Sequence, residues 1–180
     1  MTSTTDRPSR HSIRLKEYDY SQAGAYFITT CVNRRECLFG EIVNGEMELN
    51  GSGQIVVEEW TKTENIRKNV ILDAFVVMPN HFHGIMFFLD NAMAIHQQGR
   101  TRPGISMGLE SGSIGSIMAQ FKSIVTKRIN RCRNNIDCGV WQRNYYERVI
   151  RNEDELSRAR EYIVNNPLKW ELDQENPENC

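Results

Sequence analysis

The sequence predicts an α+β domain of ferredoxin-like type: an antiparallel sheet with helices on one face, plus a C-terminal helix. Three observations predict it. Short stretches rich in β-branched and aromatic residues alternate with two helical stretches, 54–68 and 114–134. An Asn44-Gly45 pair separates two short apolar runs, a strong local signal for a hairpin. Near the C-terminus, Asn152 and Glu155 stand at the spacing of a helix cap, ahead of Leu156, Ala159 and Ile163. Two β-α-β-like halves over one sheet satisfy this order, and no internal repeat competes with it.

Residues 1–19 carry Arg7, Arg10, Arg14 and Lys16 among polar residues and read as a flexible basic arm. The start has no apolar core, which excludes a secretory signal. Ala25–Val32 reads as a strand, and 38–43 with 46–49 as the hairpin, ended by Gly51-Ser52-Gly53. Gln54–Lys68 follows as a helix, with Ile55, Val56, Glu59, Trp60 and Ile66 roughly at helical spacing. The apolar strand 70–78 meets the strand 81–89 through Met78-Pro79-Asn80; proline cannot donate to a ladder, so the break belongs between antiparallel strands. The glycine-containing stretch 90–113 lacks periodicity and reads as a long mobile loop, either functional or slack. The helix 114–134 places Ile117, Met118, Phe121, Ile124, Val125 and Ile129 on one side and most of its cations on the other. After Gly139, the segment 140–151 mixes aromatic and basic residues. Such interleaving suits stacked bases and phosphates, or ordinary packing against a helix. The last helix stops near Asn166-Pro167. Residues 20–170 thus form one domain, followed by an acidic tail, 171–180.

Composition bounds the function. The chain has 180 residues, 39% hydrophobic and 25% charged, enough for one proper core. Its five cysteines are odd in number and not spaced as in zinc ribbons, so they read as reduced thiols of a cytoplasmic protein. No apolar run approaches the ~20 residues of a membrane span. The net charge of −1 gives no support for nucleic-acid binding. Its distribution is more informative. Lys122, Lys127, Arg128, Arg131 and Arg133 stand together without an acid, while acids gather at 41–64 and 171–178. That asymmetry fits a phosphate-facing surface or simply solvated helix faces.

Two small constellations carry chemistry. Alternation along a strand turns His81 and His83 to one side and Phe82 to the other. Two adjacent imidazoles are half of a divalent-metal site, or a pair of partly buried strand histidines. Tyr162 and Asn166 stand one helical turn apart, where the amide could offer a carbonyl oxygen to a metal and the phenol an oxygen to an electrophile. Packing alone would also place a tyrosine there.

Taken in order, Arg14-Leu15, Tyr18-Asp19-Tyr20, Gly24-Ala25-Tyr26-Phe27, Leu38-Phe39-Gly40 and Val77-Met78-Pro79-Asn80-His81-Phe82-His83-Gly84-Ile85 resemble one family. Phe121-Lys122-Ser123, Trp141 to Glu147, Ile150 to Glu153 and Tyr162-Ile163-x-x-Asn166-Pro167-x-x-Trp170 continue it. From about Arg14 to Trp170 the chain resembles the REP-associated tyrosine transposases, a bacterial branch of the single-tyrosine HUH transposases. The resemblance implies that His81 and His83, with Asn166 as third ligand, hold one Mg²⁺ or Mn²⁺, and that no nucleotide cofactor is used. It implies that Tyr162 attacks a phosphodiester to leave a 5′-phosphotyrosyl link. The implied substrate is single-stranded DNA beside a palindromic repeat hairpin, handled by a monomer or homodimer in the cytoplasm, at the nucleoid, away from membranes. DNA contacts are expected from Lys122, Lys127, Arg128, Arg143, Tyr145, Tyr146, Arg148 and Arg151. Arg148 stands where some relatives carry histidine. Imidazole and amide ligands suit Mn²⁺ better than Mg²⁺. Two other readings stay open: a hairpin-binding protein that no longer cuts, and a metallohydrolase using activated water. The latter lacks a third histidine near the pair, since His11 and His96 fall in the stretches read as mobile.

Overall fold

The computed structural model describes residues 23–89, 113–134 and 138–179. The arm (1–19) and nearly all of the 90–113 loop lie outside them. Strands β1 (Gly24–Cys31), β4 (Val70–Val77), β5 (His81–Phe88) and β6 (Tyr146–Ile150) form an antiparallel sheet in the order β4-β5-β1-β6. A separate ribbon joins β2 (Gly40–Val43) to β3 (Glu46–Leu49) through Asn44 and Gly45, whose φ angles of 53° and 80° are those of the expected hairpin turn.

Helices α1 (Gly51–Ile66) and α2 (Ile114–Cys132) cover one face of the sheet, as the sequence predicts. The C-terminal helix α3 (Glu153–Asn165) covers the other, packing on β4 and β5. Both faces of the sheet are therefore dressed. Pleating sorts the side chains: Tyr26, Ile28, Phe82 and Met86 enter the core with Trp60 and Phe121, whereas Ala25, Ile85 and Ile150 meet Leu156 and Ile163 beneath α3. An ion pair fixes α3 in place. Between Leu72 and Phe75 the β4–β5 register shifts, and Asp73 Oδ2 there accepts a 2.8 Å hydrogen bond from Arg160 Nε, with Arg160 Nη2 also 2.8 Å from the same oxygen.

The sequence places Gly51-Ser52-Gly53 at the end of the hairpin; the structure winds them into the first turn of α1. Asn50 is the reason, because its side-chain oxygen caps the helix by accepting from the Ser52 and Gly53 amides at 2.9 and 3.1 Å. Asn152 and Glu155 behave as expected: Asn152 Oδ1 accepts from the Glu155 amide, and Glu155 Oε2 accepts from the amide of Arg151. Beyond Asn166, a 3₁₀ turn (Pro167–Leu172) carries the chain back toward the sheet. Residues 171–179, acidic by sequence, are tied down there: Arg35 Nη1 donates to Gln174 O, Asn80 Nδ2 to Glu175 O, and Asn176 Nδ2 to Trp170 O.

At the centre of the core, the Trp60 and Phe82 rings lie 4.6 Å apart by centroid, and Trp60 and Phe121 5.6 Å. Gly84 makes room for the indole, since a Cβ there would stand 2.7 Å from Trp60 Cζ2 and 2.8 Å from Phe82 Cζ. Gly84→Ala is expected to destabilise the fold by about 1–3 kcal/mol through overpacking, read as a lower urea midpoint at unchanged slope.

Candidate active site

Strand β5 delivers His81 and His83 to the face beneath α3, where β1 sets Cys31 and Thr29 directly across from them. The rings stand 4.7 Å apart by centroid, and both side chains are buried. His83 also stacks on Phe27 at 5.4 Å.

Asn80 determines which nitrogen of His81 carries the proton. Both hydrogens of its amide are used, donating to Arg35 O at 3.1 Å and Glu175 O at 2.6 Å. Its oxygen must therefore face His81 Nδ1, 2.9 Å away, which makes Nδ1 the donor. Nε2 then keeps its lone pair. That atom is buried and has no hydrogen-bond partner, and Asp173 Oδ2 lies 3.9 Å from it. His83 Nδ1 lies 2.7 Å from Thr29 Oγ1, and its Nε2 is 3.4 Å from the hydroxyl of Tyr162.

Helix α3 supplies the rest. Tyr162 leans edge-on against His83 and Phe27, at 5.2 and 6.0 Å, and remains 45% exposed. One turn later Asn166 is 3% exposed, and its side-chain oxygen is buried without a partner. Two lone-pair atoms, His81 Nε2 and Asn166 Oδ1, thus sit buried with no donor to satisfy them. Such a pair is costly unless a cation or water serves it. Together with His83 Nε2 they form a nitrogen, nitrogen, oxygen donor set that fits a divalent ion. Among the described residues, no three His, Cys, Asp or Glu side chains cluster so as to hold a metal.

Burial pushes both imidazoles below their ordinary range, and for His83 the neighbouring His81 adds to it. For His81, Asp173 and the Asn166 amide oppose the shift in part. Both rings are neutral at pH 7, the form that binds metal. The unfolded chain takes up protons below the usual histidine pKa of about 6.5, whereas the folded chain resists them. Stability is therefore complete above that value and falls as the pH drops, by up to about 1.4 kcal/mol per pH unit for each ring. Urea unfolding of metal-free protein between pH 7 and pH 5 checks this, with a His81→Gln/His83→Gln variant expected to flatten the profile. Tyr162 is shifted up, by burial and then by the charge of Asp173, so its phenol is protonated at neutral pH. Burial and the nearby Glu175 push the Cys31 thiol up to about 12, leaving it a poor metal ligand.

All four residues expected to do chemistry converge. The eight expected DNA contacts are more dispersed. Arg128 is taken up by Glu59 at 2.5 Å and Glu58 at 2.7 Å. Lys122 Nζ donates to Gln142 O and Asn144 O, and burial lowers its pKa to about 8. Arg148 is 3.4 Å from Glu155, and Tyr145 donates to Glu147. Tyr146 is exposed. Lys127, Arg143 and Arg151 make no side-chain ion pair among the described residues. Sequence reasoning missed Asn80, Thr29 and Asp173. Only the strand register reveals Thr29, whereas Asn80 had a local signal, standing next to a candidate ligand.

No helix among the described residues is long and apolar enough to cross a membrane. No family model matches the sequence. A Haemophilus influenzae protein described as uncharacterised is 43% identical over 168 residues, 92% of each chain. Among solved structures, a REP-associated tyrosine transposase bound to a REP hairpin aligns with a TM-score of 0.55 at 20% identity, over 88% of this chain and 74% of that one. A putative transposase from Deinococcus radiodurans aligns over 86% of this chain and 97% of its own at 15% identity, with a TM-score of 0.43, too low to carry a fold assignment. By sequence the chain belongs to one family with the Haemophilus influenzae protein, and its fold is similar to that of the REP-associated tyrosine transposase.

Proposed function

We propose that the chain is a metal-dependent DNA nicking and strand-transfer enzyme, a transposase that cuts single-stranded DNA beside a palindromic repeat hairpin. The observation that carries this reading is the placement of the Tyr162 hydroxyl 3.4 Å from His83 Nε2, with partnerless Asn166 Oδ1 one turn along the same helix. A nucleophile beside a buried donor set is what phosphodiester transfer requires. The hairpin as partner is supported by the REP hairpin bound to the similar transposase.

His81, His83 and Asn166 would hold one Mg²⁺ or Mn²⁺, the latter better suited to nitrogen donors. When bound, that ion would supply Lewis-acid polarisation of the scissile phosphate. Tyr162 supplies the nucleophile. A bond forms from its phenolic oxygen to phosphorus as the bond from phosphorus to the 3′-oxygen breaks. The phenolic proton passes to solvent, which the half-exposed side chain reaches, and the departing 3′-oxygen takes up a proton. A 5′-phosphotyrosyl link results, and attack on it by a 3′-hydroxyl rejoins strands. Asn80 keeps His81 in the tautomer this needs, and Thr29 orients His83.

A labelled repeat hairpin with a single-stranded flank, incubated with Mn²⁺ or EDTA and then denatured, tests the reading. A labelled species that migrates with the protein, formed only with metal, is the expected result. Binding without any such species would leave a hairpin-recognition protein in its place.

A further inference from the structure

The C-terminal segment brings one more charge to the histidines. Asp173 caps the 3₁₀ turn (Pro167–Leu172), and its side chain is largely buried. Its two carboxylate oxygens are used differently. Oδ1 accepts from the Glu175 amide at 2.8 Å and so holds the local turn. Oδ2 faces His81 Nε2 at 3.9 Å and meets no lysine or arginine among the described residues. Glu175 differs, because Arg35 Nε stands 3.2 Å from its carboxylate. The acid beside the histidines is therefore the one left unneutralised.

The tautomer of His81 makes this approach costly. With the proton on Nδ1, Nε2 presents a lone pair, and a lone pair and an anionic oxygen repel. At 3.9 Å the two are also too far apart to share a proton directly. Yet the segment is held there from several sides. Asn80 Nδ2 donates to Glu175 O, Arg35 Nη1 to Gln174 O, and the Asp173 amide to Trp170 O. The Trp170 ring itself lies 6.1 Å from that of His81. One Asn80 amide thus does two things: its oxygen bares Nε2, and its nitrogen anchors the segment that sets a carboxylate across from it. A cation between the two turns the repulsion into attraction.

We propose that Asp173 is a further residue of the metal site: its carboxylate supplies the negative charge that two imidazoles and the Asn166 amide lack, and draws a divalent ion onto His81 Nε2. The inference rests on the metal-dependent reading and adds a residue to its site. An ion bonded to Nε2 at ~2.1 Å stands no more than about 6 Å from Oδ2. Asp173 stands outside the donor set and acts across one of the waters that Mg²⁺ and Mn²⁺ retain. Neutral donors alone would leave the full double charge in a buried site, and one carboxylate halves it.

Mn²⁺ titrations of the full chain without DNA, followed by electron paramagnetic resonance, test this on wild type, Asp173→Asn and Asp173→Ala. Asparagine removes the charge and keeps an oxygen for the Glu175 amide. Alanine removes the charge without bringing a donor that could cap Nε2. Both variants are expected to bind Mn²⁺ roughly 10-fold more weakly or worse, the scale on which partners just outside a metal's ligands act. The imidazole ¹⁵N shifts of metal-free His81 are expected to keep the Nδ1–H tautomer in both, which separates lost charge from a lost Asn80 contact. Affinity in Asp173→Ala equal to or tighter than wild type would overturn the proposal while the metal-dependent reading stood. So would a loss accompanied by a changed tautomer, since the segment would then act only by bracing Asn80. No Mn²⁺ bound by wild type itself would bring down that reading, and the proposal with it.

Discussion

Tyr162→Phe is expected to abolish the covalent protein–DNA species and to lower strand cleavage on the order of a thousandfold or more, the scale seen when a nucleophile is deleted. The substitution removes one oxygen and keeps the ring. Its edge contacts with Phe27 and His83 therefore persist, and the fold and hairpin affinity are expected to stay as in wild type. The substitution gives up the long contact to His83 Nε2, at 3.4 Å, and the hydroxyl's interaction with the Asn166 side chain. Denaturing gels of labelled hairpin read cleavage and trapping together. Cleavage retained without trapping would mean that water is the nucleophile and the enzyme a metallohydrolase.

Asn80 carries the second large effect. Asn80→Ala removes the acceptor that holds the proton on His81 Nδ1, so the ring is free to place a proton on Nε2, where the metal would bind. A 10–100-fold loss of Mn²⁺ affinity is expected, the usual range when a partner of a metal-binding histidine is lost. Electron paramagnetic resonance counts the free Mn²⁺, and ¹⁵N shifts of the imidazole report the tautomer without any metal. Asn80→Asp separates the two roles of the amide. A carboxylate still accepts from Nδ1 but cannot donate to Arg35 O or Glu175 O, so the tautomer should survive while the 173–176 segment loosens. An unchanged tautomer in Asn80→Ala would refute the lock.

What could be read in advance followed from chemistry local to the chain. Asn44-Gly45 dictated its turn, the capping residues of α3 lie within four positions of each other, and a strand's two-residue period put Phe82 opposite the histidines. Tyr162 and Asn166 share a face because a helix turns every 3.6 residues. Partnerships across the fold could not be read. Arg128 looks like a phosphate ligand until its two glutamates arrive from about seventy positions away. Thr29 meets His83 only through the β1–β5 register, and Asn80 reaches Glu175 across 95 positions. Gly51-Ser52-Gly53 misled for a different reason: glycines normally end elements, and one well-placed Asn50 side chain outweighed that propensity.

The alternation along β5 has an evolutionary consequence. Odd-numbered positions from His81 to Ile85 answer to the chemistry and to α3, while even-numbered ones from Phe82 to Met86 answer to the core beneath α1 and α2. On the nicking-enzyme reading, selection on cutting and selection on folding therefore act on interleaved letters of one short word and rarely on the same letter. A mutational library across β5, sorted separately for soluble expression and for strand cleavage, should return two tolerance profiles of period two, out of step by one residue.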